Sequence, residues 1–159
     1  MARRAFWGVL VMVLLSLTGC DAEHVVYSSF KQLPEDGWQR KMALHYTCET
    51  TDSVQRADVT VSVRHDASYA YRTLELVVDM ISETGKVERR NVSIPVTDEY
   101  GNWTGSGFGA LYHTEAKVAR DISPEASLKV VVWQAMCEGD TLKGISEIGV
   151  KITESGREK

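Results

Sequence analysis

Strict alternation of apolar and polar residues runs through Ala57-Asp58-Val59-Thr60-Val61-Ser62-Val63-Arg64, with a looser version over residues 87–94. A period of two sends successive side chains to opposite faces of a strand, so Val59, Val61 and Val63 are predicted to face a core and Thr60 and Ser62 to face water. Residues 73–80 and 127–133 are denser in apolar side chains, as expected of central strands covered on both sides or twisted into the core. Further strands are predicted at 24–30, 42–47, 106–112, 117–122 and 144–152, about nine in all. Turn chemistry separates them at Pro34-Glu35-Asp36-Gly37, Glu83-Thr84-Gly85-Lys86, Tyr100-Gly101-Asn102 and Glu138-Gly139-Asp140. Room for a short helical turn exists only at 114–120 and 135–138. Many short strands without βαβ alternation predict an all-β chain, an antiparallel β-sandwich of jelly-roll or immunoglobulin-like type.

The N-terminus breaks this pattern. Arg3 and Arg4 precede an apolar run over residues 5–17, which ends in Leu17-Thr18-Gly19-Cys20. Such a run is long enough for the core of an export signal and too short to span a bilayer, which needs about 20 residues. The Leu-x-Gly-Cys ending is a lipobox, so residues 1–19 are expected to be a signal peptide removed before Cys20. The Cys20 sulfur then carries a diacylglycerol and its amine a further acyl chain, an anchor worth about 0.8 kcal/mol per buried methylene. The expected organisation is a lipidated tether at 20–23, one sandwich domain at 24–153 and a polar tail at 154–159.

Cleavage removes two of the 18 basic residues and none of the 22 acidic ones, leaving a mature charge of −6. That balance excludes a nucleic-acid partner and a polybasic membrane patch, both of which need clustered Lys and Arg. With Cys20 acylated, Cys48 and Cys137 remain in an oxidising compartment. They either form a disulfide closing a loop of about 90 residues or stand as separate thiols, since bridging needs Cα atoms within about 7 Å. His24, His45, His65 and His113 are too scattered for a metal-ligand array, and no metal or cofactor is expected. No Gly-x-Ser-x-Gly elbow or paired carboxylates mark an enzyme, and none is expected.

The segment Asp98-Glu99-Tyr100-Gly101-Asn102-Trp103-Thr104-Gly105-Ser106-Gly107-Phe108-Gly109 is rich in glycine. It does not follow a parallel strand or open a helix, so a phosphate loop is excluded. Backbone geometry accounts for it instead, with a hairpin turn at Gly101-Asn102 and close strand approach at the later glycines. Trp103 has two readings, as a plug in the end of the sandwich or as a docking residue together with Phe108 and Tyr100.

Four blocks in order resemble the gliding motility lipoprotein GldH family. They are Val26-Tyr27-Ser28-Ser29-Phe30-Lys31-Gln32-Leu33-Pro34 with Gly37-Trp38, then Gly101 through Gly109, then Gln134-Ala135-Met136, and last Leu142-Lys143-Gly144-Ile145-Ser146-Glu147-Ile148-Gly149-Val150-Lys151-Ile152. The resemblance implies a Bacteroidetes cell-envelope lipoprotein, non-enzymatic, working with protein partners of the gliding machinery and the linked type IX secretion system. It also makes Asp52-Ser53-Val54 and Asp140-Thr141-Leu142 candidates for O-glycosylation at Ser53 and Thr141. An outer-membrane location is expected, on the periplasmic or the surface face. The alternative function is a carbohydrate-binding module in which Trp103, Tyr100 or Trp38 stacks on sugar rings.

Overall fold

Eleven strands form in the computed structural model, which describes residues 24–50 and 54–155, with the Phe108 side chain outside that description. They are β1 (Val25–Gln32), β2 (Trp38–Gln39), β3 (Leu44–Glu49), β4 (Ala57–Asp66), β5 (Thr73–Ser82), β6 (Val87–Pro95), β7 (Ser106–Phe108), β8 (Leu111–Ile122), β9 (Ser127–Gln134), β10 (Thr141–Leu142) and β11 (Ile145–Glu154). A five-stranded sheet in the order β1-β11-β4-β8-β7 faces a four-stranded sheet in the order β3-β9-β5-β6, and every pairing is antiparallel. Strands adjacent in sequence pair only in the β5–β6 and β7–β8 hairpins. The other long connections cross from one sheet to the other, so β1-β11-β4-β8 against β3-β9-β5-β6 is the double Greek key of a jelly roll, not an immunoglobulin order.

The alternating strands supply the core. Val59, Val61 and Val63 from β4 are fully buried against Leu74, Leu76 and Val78 from β5 and Val130 and Val132 from β9. Tyr46 reaches across the layers and donates its hydroxyl to the Ile148 carbonyl at 2.7 Å. Burial pushes that phenol far above its ordinary pKa, so it remains a donor.

Three expectations need correction. Thr60 and Ser62 are 7% and 1% exposed although they point away from the core. Their row is roofed by Phe30, which lies over Gly149 beside Ser62, and by Glu115, which accepts the Ser62 hydroxyl at 2.9 Å. Residues 114–120 are strand within β8 and form no helical turn. The stretch 106–112 is two strands, because Gly109 at φ 63° turns the chain between β7 and β8.

Antiparallel pairing decides which loops share an end. Val25 pairs with Thr153, placing the start of β1 and the end of β11 together with the connections after β3, β5 and β8. The connections after β1, β4, β6 and β9 gather at the opposite end. Asp58 fastens the first end by accepting hydrogen bonds from Lys117 Nζ at 2.5 Å, Ser155 Oγ at 2.7 Å and the Asp121 amide at 2.9 Å. Burial alone would raise that carboxyl, but these donors outweigh it and bring its pKa down to about 2.

The outer face of the smaller sheet shows why β5 and β9 read as central strands. Asp79 and Val131 point outward yet are each 5% exposed. Arg89 on β6 pairs with Asp79 through two bonds of 2.6 and 2.7 Å, and its guanidinium lies over the Trp133 ring at 5.9 Å. The second cover is thus made of the sheet's own long side chains.

Candidate functional site

At the end opposite the start of β1, the alternation of β4 carries one polar residue into the core. His65 follows Val59, Val61 and Val63 on the buried face and is fully inaccessible. Its ring lies 4.8 Å from Trp103, 5.5 Å from Tyr112 and 5.8 Å from Tyr69, and Trp103 and Tyr112 are 5.4 Å apart. Nδ1 lies 3.2 Å from the Asp66 carbonyl and Nε2 has no partner. Burial lowers its pKa despite that carbonyl and the Asp66 charge, so the ring is held neutral.

The glycine-rich segment closes over this cluster. Asp98 accepts hydrogen bonds from the Tyr100 amide at 2.9 Å, the Asn102 amide at 2.8 Å and Asn102 Nδ2 at 2.9 Å, which hold its carboxyl below the usual range. Gly101 turns the chain at φ 87°, and Thr97 bridges Trp103 across the loop. Gly105 sits so close to β8 that a β-carbon there would lie 2.1 Å from the His113 carbonyl oxygen. These glycines serve chain reversal and close packing, as their spacing predicted.

The structure separates the three predicted contact residues. Trp103 is half-buried and packs on the core through His65 and Tyr112, so the plug reading describes it. Tyr100, 82% exposed, stands at the loop tip. Phe108 lies on β7, where its backbone pairs with Leu111. Trp38, fully buried with Nε1 donating to the Met42 carbonyl at 2.8 Å, has no free face for a sugar.

Leu111, missed in the sequence reading, is 39% exposed between two cavities of about 520 Å³ each. One lies between Leu33-Pro34 and Gly144–Glu147, beside Glu35 and Asp66; the other lies among Ser106, Gly107, Tyr112, His113 and Arg64. Three of the four segments that carry the family resemblance therefore meet around one residue. The signal for it was a leucine at the first position after a hairpin turn, where burial is not enforced.

Cys48 and Cys137 are free thiols, the second of the two readings left open above. Cys48 pairs with Leu128 at the start of β9, whereas Cys137 follows the end of that strand and is exposed. At about 3.3 Å per strand residue the length of β9 lies between them, well beyond the reach of a bridge. Thr141 is exposed on β10. Cys20 and Ser53 lie outside the described residues. Among the described residues no His, Cys, Asp and Glu cluster could hold a metal, and no helix is long and apolar enough to cross a membrane.

The outer face of the larger sheet brings Ser62, Glu115 and His113 together, with Glu115 accepting from Ser62 at 2.9 Å and lying 3.1 Å from His113 Nε2. The carboxylate stands between serine and histidine, so the imidazole is not in line to take the serine proton. Lys151 Nζ donates to the other Glu115 oxygen at 3.2 Å. Burial would raise the Glu115 carboxyl, but these donors bring it below its ordinary value.

An all-β jelly roll carrying a closed aromatic loop cluster defines the class. A family model described as GldH lipoprotein matches residues 25–152, and the chain belongs to that family. It is 24% identical over 155 residues to the "Gliding motility lipoprotein GldH homolog" of Christiangramia forsetii, covering 92% of this chain and 94% of that one. It is 21% identical over 153 residues to the "Gliding motility lipoprotein GldH" of Flavobacterium johnsoniae, covering 92% and 95%. Among solved structures, a protein of the T13 IBDV viral particle matches with TM-score 0.38 and 14% identity, over 86% of this chain and 33% of that one. The protein is accordingly a lipid-anchored envelope lipoprotein of a family associated with gliding motility.

Proposed function

We propose that this chain is a non-enzymatic component of the outer-membrane gliding machinery and its linked type IX secretion system. Acylated Cys20 fixes it to the bilayer, and the far end of the jelly roll holds a protein partner. One observation carries the reading: β1 begins at the end where β11 finishes, so a tether preceding residue 24 leaves from the end opposite the His65–Trp103–Tyr112 cluster, Tyr100 and Leu111. A lipid anchor at one end presents the other to the envelope. The partner-contact residues are then Tyr100, Leu111 and, in the same loop system, Phe108, with Trp103 as the support that holds the loop in shape. Thr141 at this end and Ser53, outside the described residues, are proposed O-glycosylation positions.

Two experiments test this reading. Cys20→Ser should leave uncleaved or soluble protein, and unchanged membrane attachment with normal processing would remove the anchor from it. A crosslinked pull-down from the native envelope should recover motility or secretion components. Recovery of soluble metabolic substrates, or turnover of a substrate by the purified chain, would contradict it.

A further inference from the structure

We propose that the two cavities flanking Leu111 form one groove for an extended partner segment in which an apolar side chain sits next to a lysine or arginine. This rests on the reading that the far end is the contact surface, and it specifies the chemistry of what binds there.

The apolar requirement comes from Leu111 itself, 39% exposed at the start of β8, with Leu33 and Pro34 lining the same cavity. Each cavity, at about 520 Å³, exceeds one side chain, and the two share Leu111 in their linings. Alternate residues of an extended peptide are spaced by roughly 7 Å, so a strand-like segment places neighbouring same-side residues on either side of a single leucine. A compact ligand would fill one cavity and leave the other.

The basic requirement comes from charge. The first cavity is walled by Glu35, Asp66 and Glu147 against Lys143. Glu147 is engaged by Arg64 at 2.5 Å, which leaves two carboxylates facing one ammonium. Asp66 uses Oδ1 to accept the Ser68 amide at 2.7 Å and has Oδ2 to offer. At the same end, Glu99 and Glu138 add charge that no cation among the described residues pairs, while Asp140 is answered by Arg40 at 3.7 Å and the Asp98 carbonyl by Arg72 at 2.7 Å. Such a surface repels an anionic lipid headgroup or nucleic acid and draws a cationic segment.

The test places a photo-crosslinking residue at position 111 of the full-length protein in native envelopes, with positions 47 and 91 on the outer face of the smaller sheet as controls. The crosslinked partner peptide is then sequenced. The expected result is an adduct at 111 whose attached segment carries Lys or Arg within two residues of an apolar side chain. Glu35→Gln with Asp66→Asn should lower its yield about fivefold, the effect of roughly 1 kcal/mol of lost charge pairing. The carboxamide that replaces the Asp66 carboxylate keeps an oxygen for the Ser68 amide, so the turn survives, and far-ultraviolet circular dichroism and the midpoint of urea unfolding would confirm that the variant folds as the parent does. An attached segment lacking a basic residue, or a yield unmoved by the charge variant, overturns the proposal while leaving the far-end reading in place. Adducts at 47 or 91 and none at 111 overturn both.

Discussion

The ring of Phe30 on β1 occupies the space that a side chain at Gly149 on β11 would need: a β-carbon there would sit 2.5 Å from Phe30 Cε1. Glycine inside a strand is unfavourable by itself, and a large ring laid across it from the neighbouring strand restores the lost contact. The Arg64 guanidinium lies over the Phe30 ring, 4.1 Å from its centre, and pairs with Glu147. Phe30 thereby fastens the edge strand β1, the first described strand, onto the sheet. Gly149→Val should cost about 1–3 kcal/mol through overpacking. In the Phe30→Ala background the same change should cost less, because the clash is gone. Urea unfolding of the four proteins of this cycle checks it, and additive effects would contradict the contact.

Acid should loosen the anchor end. Asp58 has a folded pKa of about 2, below its unfolded value, so its stabilising contribution is complete above about pH 4 and is lost as pH falls from there toward 2. Asp58→Asn should remove about 1–2 kcal/mol at neutral pH and flatten this part of the pH dependence. Denaturation midpoints at pH 7, 4 and 3 measure it.

His65 acts at the other pH boundary. The folded state lowers its pKa, so the unfolded chain takes up the proton first and stability falls as pH drops below about 6.5. His65→Phe should lose that dependence between pH 7.5 and 5.5 and cost about 1 kcal/mol at pH 7.5, because the Nδ1 bond to the Asp66 carbonyl is forfeited while Nε2 has no partner to lose. A variant as pH-sensitive as the parent in this interval would contradict the assignment.

The loop aromatics should behave oppositely. Trp103→Ala removes the ring packed on His65 and Tyr112 and should cost about 2–4 kcal/mol of stability. Tyr100→Ala, at an exposed position, should stay within about 0.5 kcal/mol of the parent and weaken partner capture instead. Thermal melts alongside pull-downs separate the two roles.

Alkylation of denatured, unreduced mature protein should modify both Cys48 and Cys137, and native protein should react at Cys137 first, since Cys48 is buried and its thiol pKa is raised by that burial. Absence of labelling under denaturing conditions would restore the bridge.

Strand existence was legible because burial on one face enforces a period of two. That signal places β4, β5, β6, β9 and β11 within two residues of their observed ends. It could not tell a jelly roll from an immunoglobulin order, because crossing between sheets depends on which loops span the sandwich, and local pattern does not record it. Thr60 and Ser62 were misread for a related reason: the side chains over their row, Phe30 beside Ser62 and Glu115 bonded to it, are distant in sequence. The histidines were read as unrelated side chains, yet His65 continues the apolar phase of Val59, Val61 and Val63, and that phase was the available sign of a buried ring. Leu111 left no such mark. An exposed leucine is ordinary in isolation, and only the meeting of three distant segments around it gives it meaning.

Whether the end far from the anchor is the working surface is settled most directly by moving the same chemical insult between surfaces. Leu111→Arg with Tyr100→Arg on one copy, and Thr47→Arg with Asn91→Arg on another, leave the core residues untouched, and each folded, membrane-attached variant is assayed for partner capture from native envelopes. The far-end pair should lose capture by roughly thirtyfold or more, a loss of about 2 kcal/mol, while the sheet-face pair retains it. Capture lost by the sheet-face pair and kept by the far-end pair would contradict the proposed orientation.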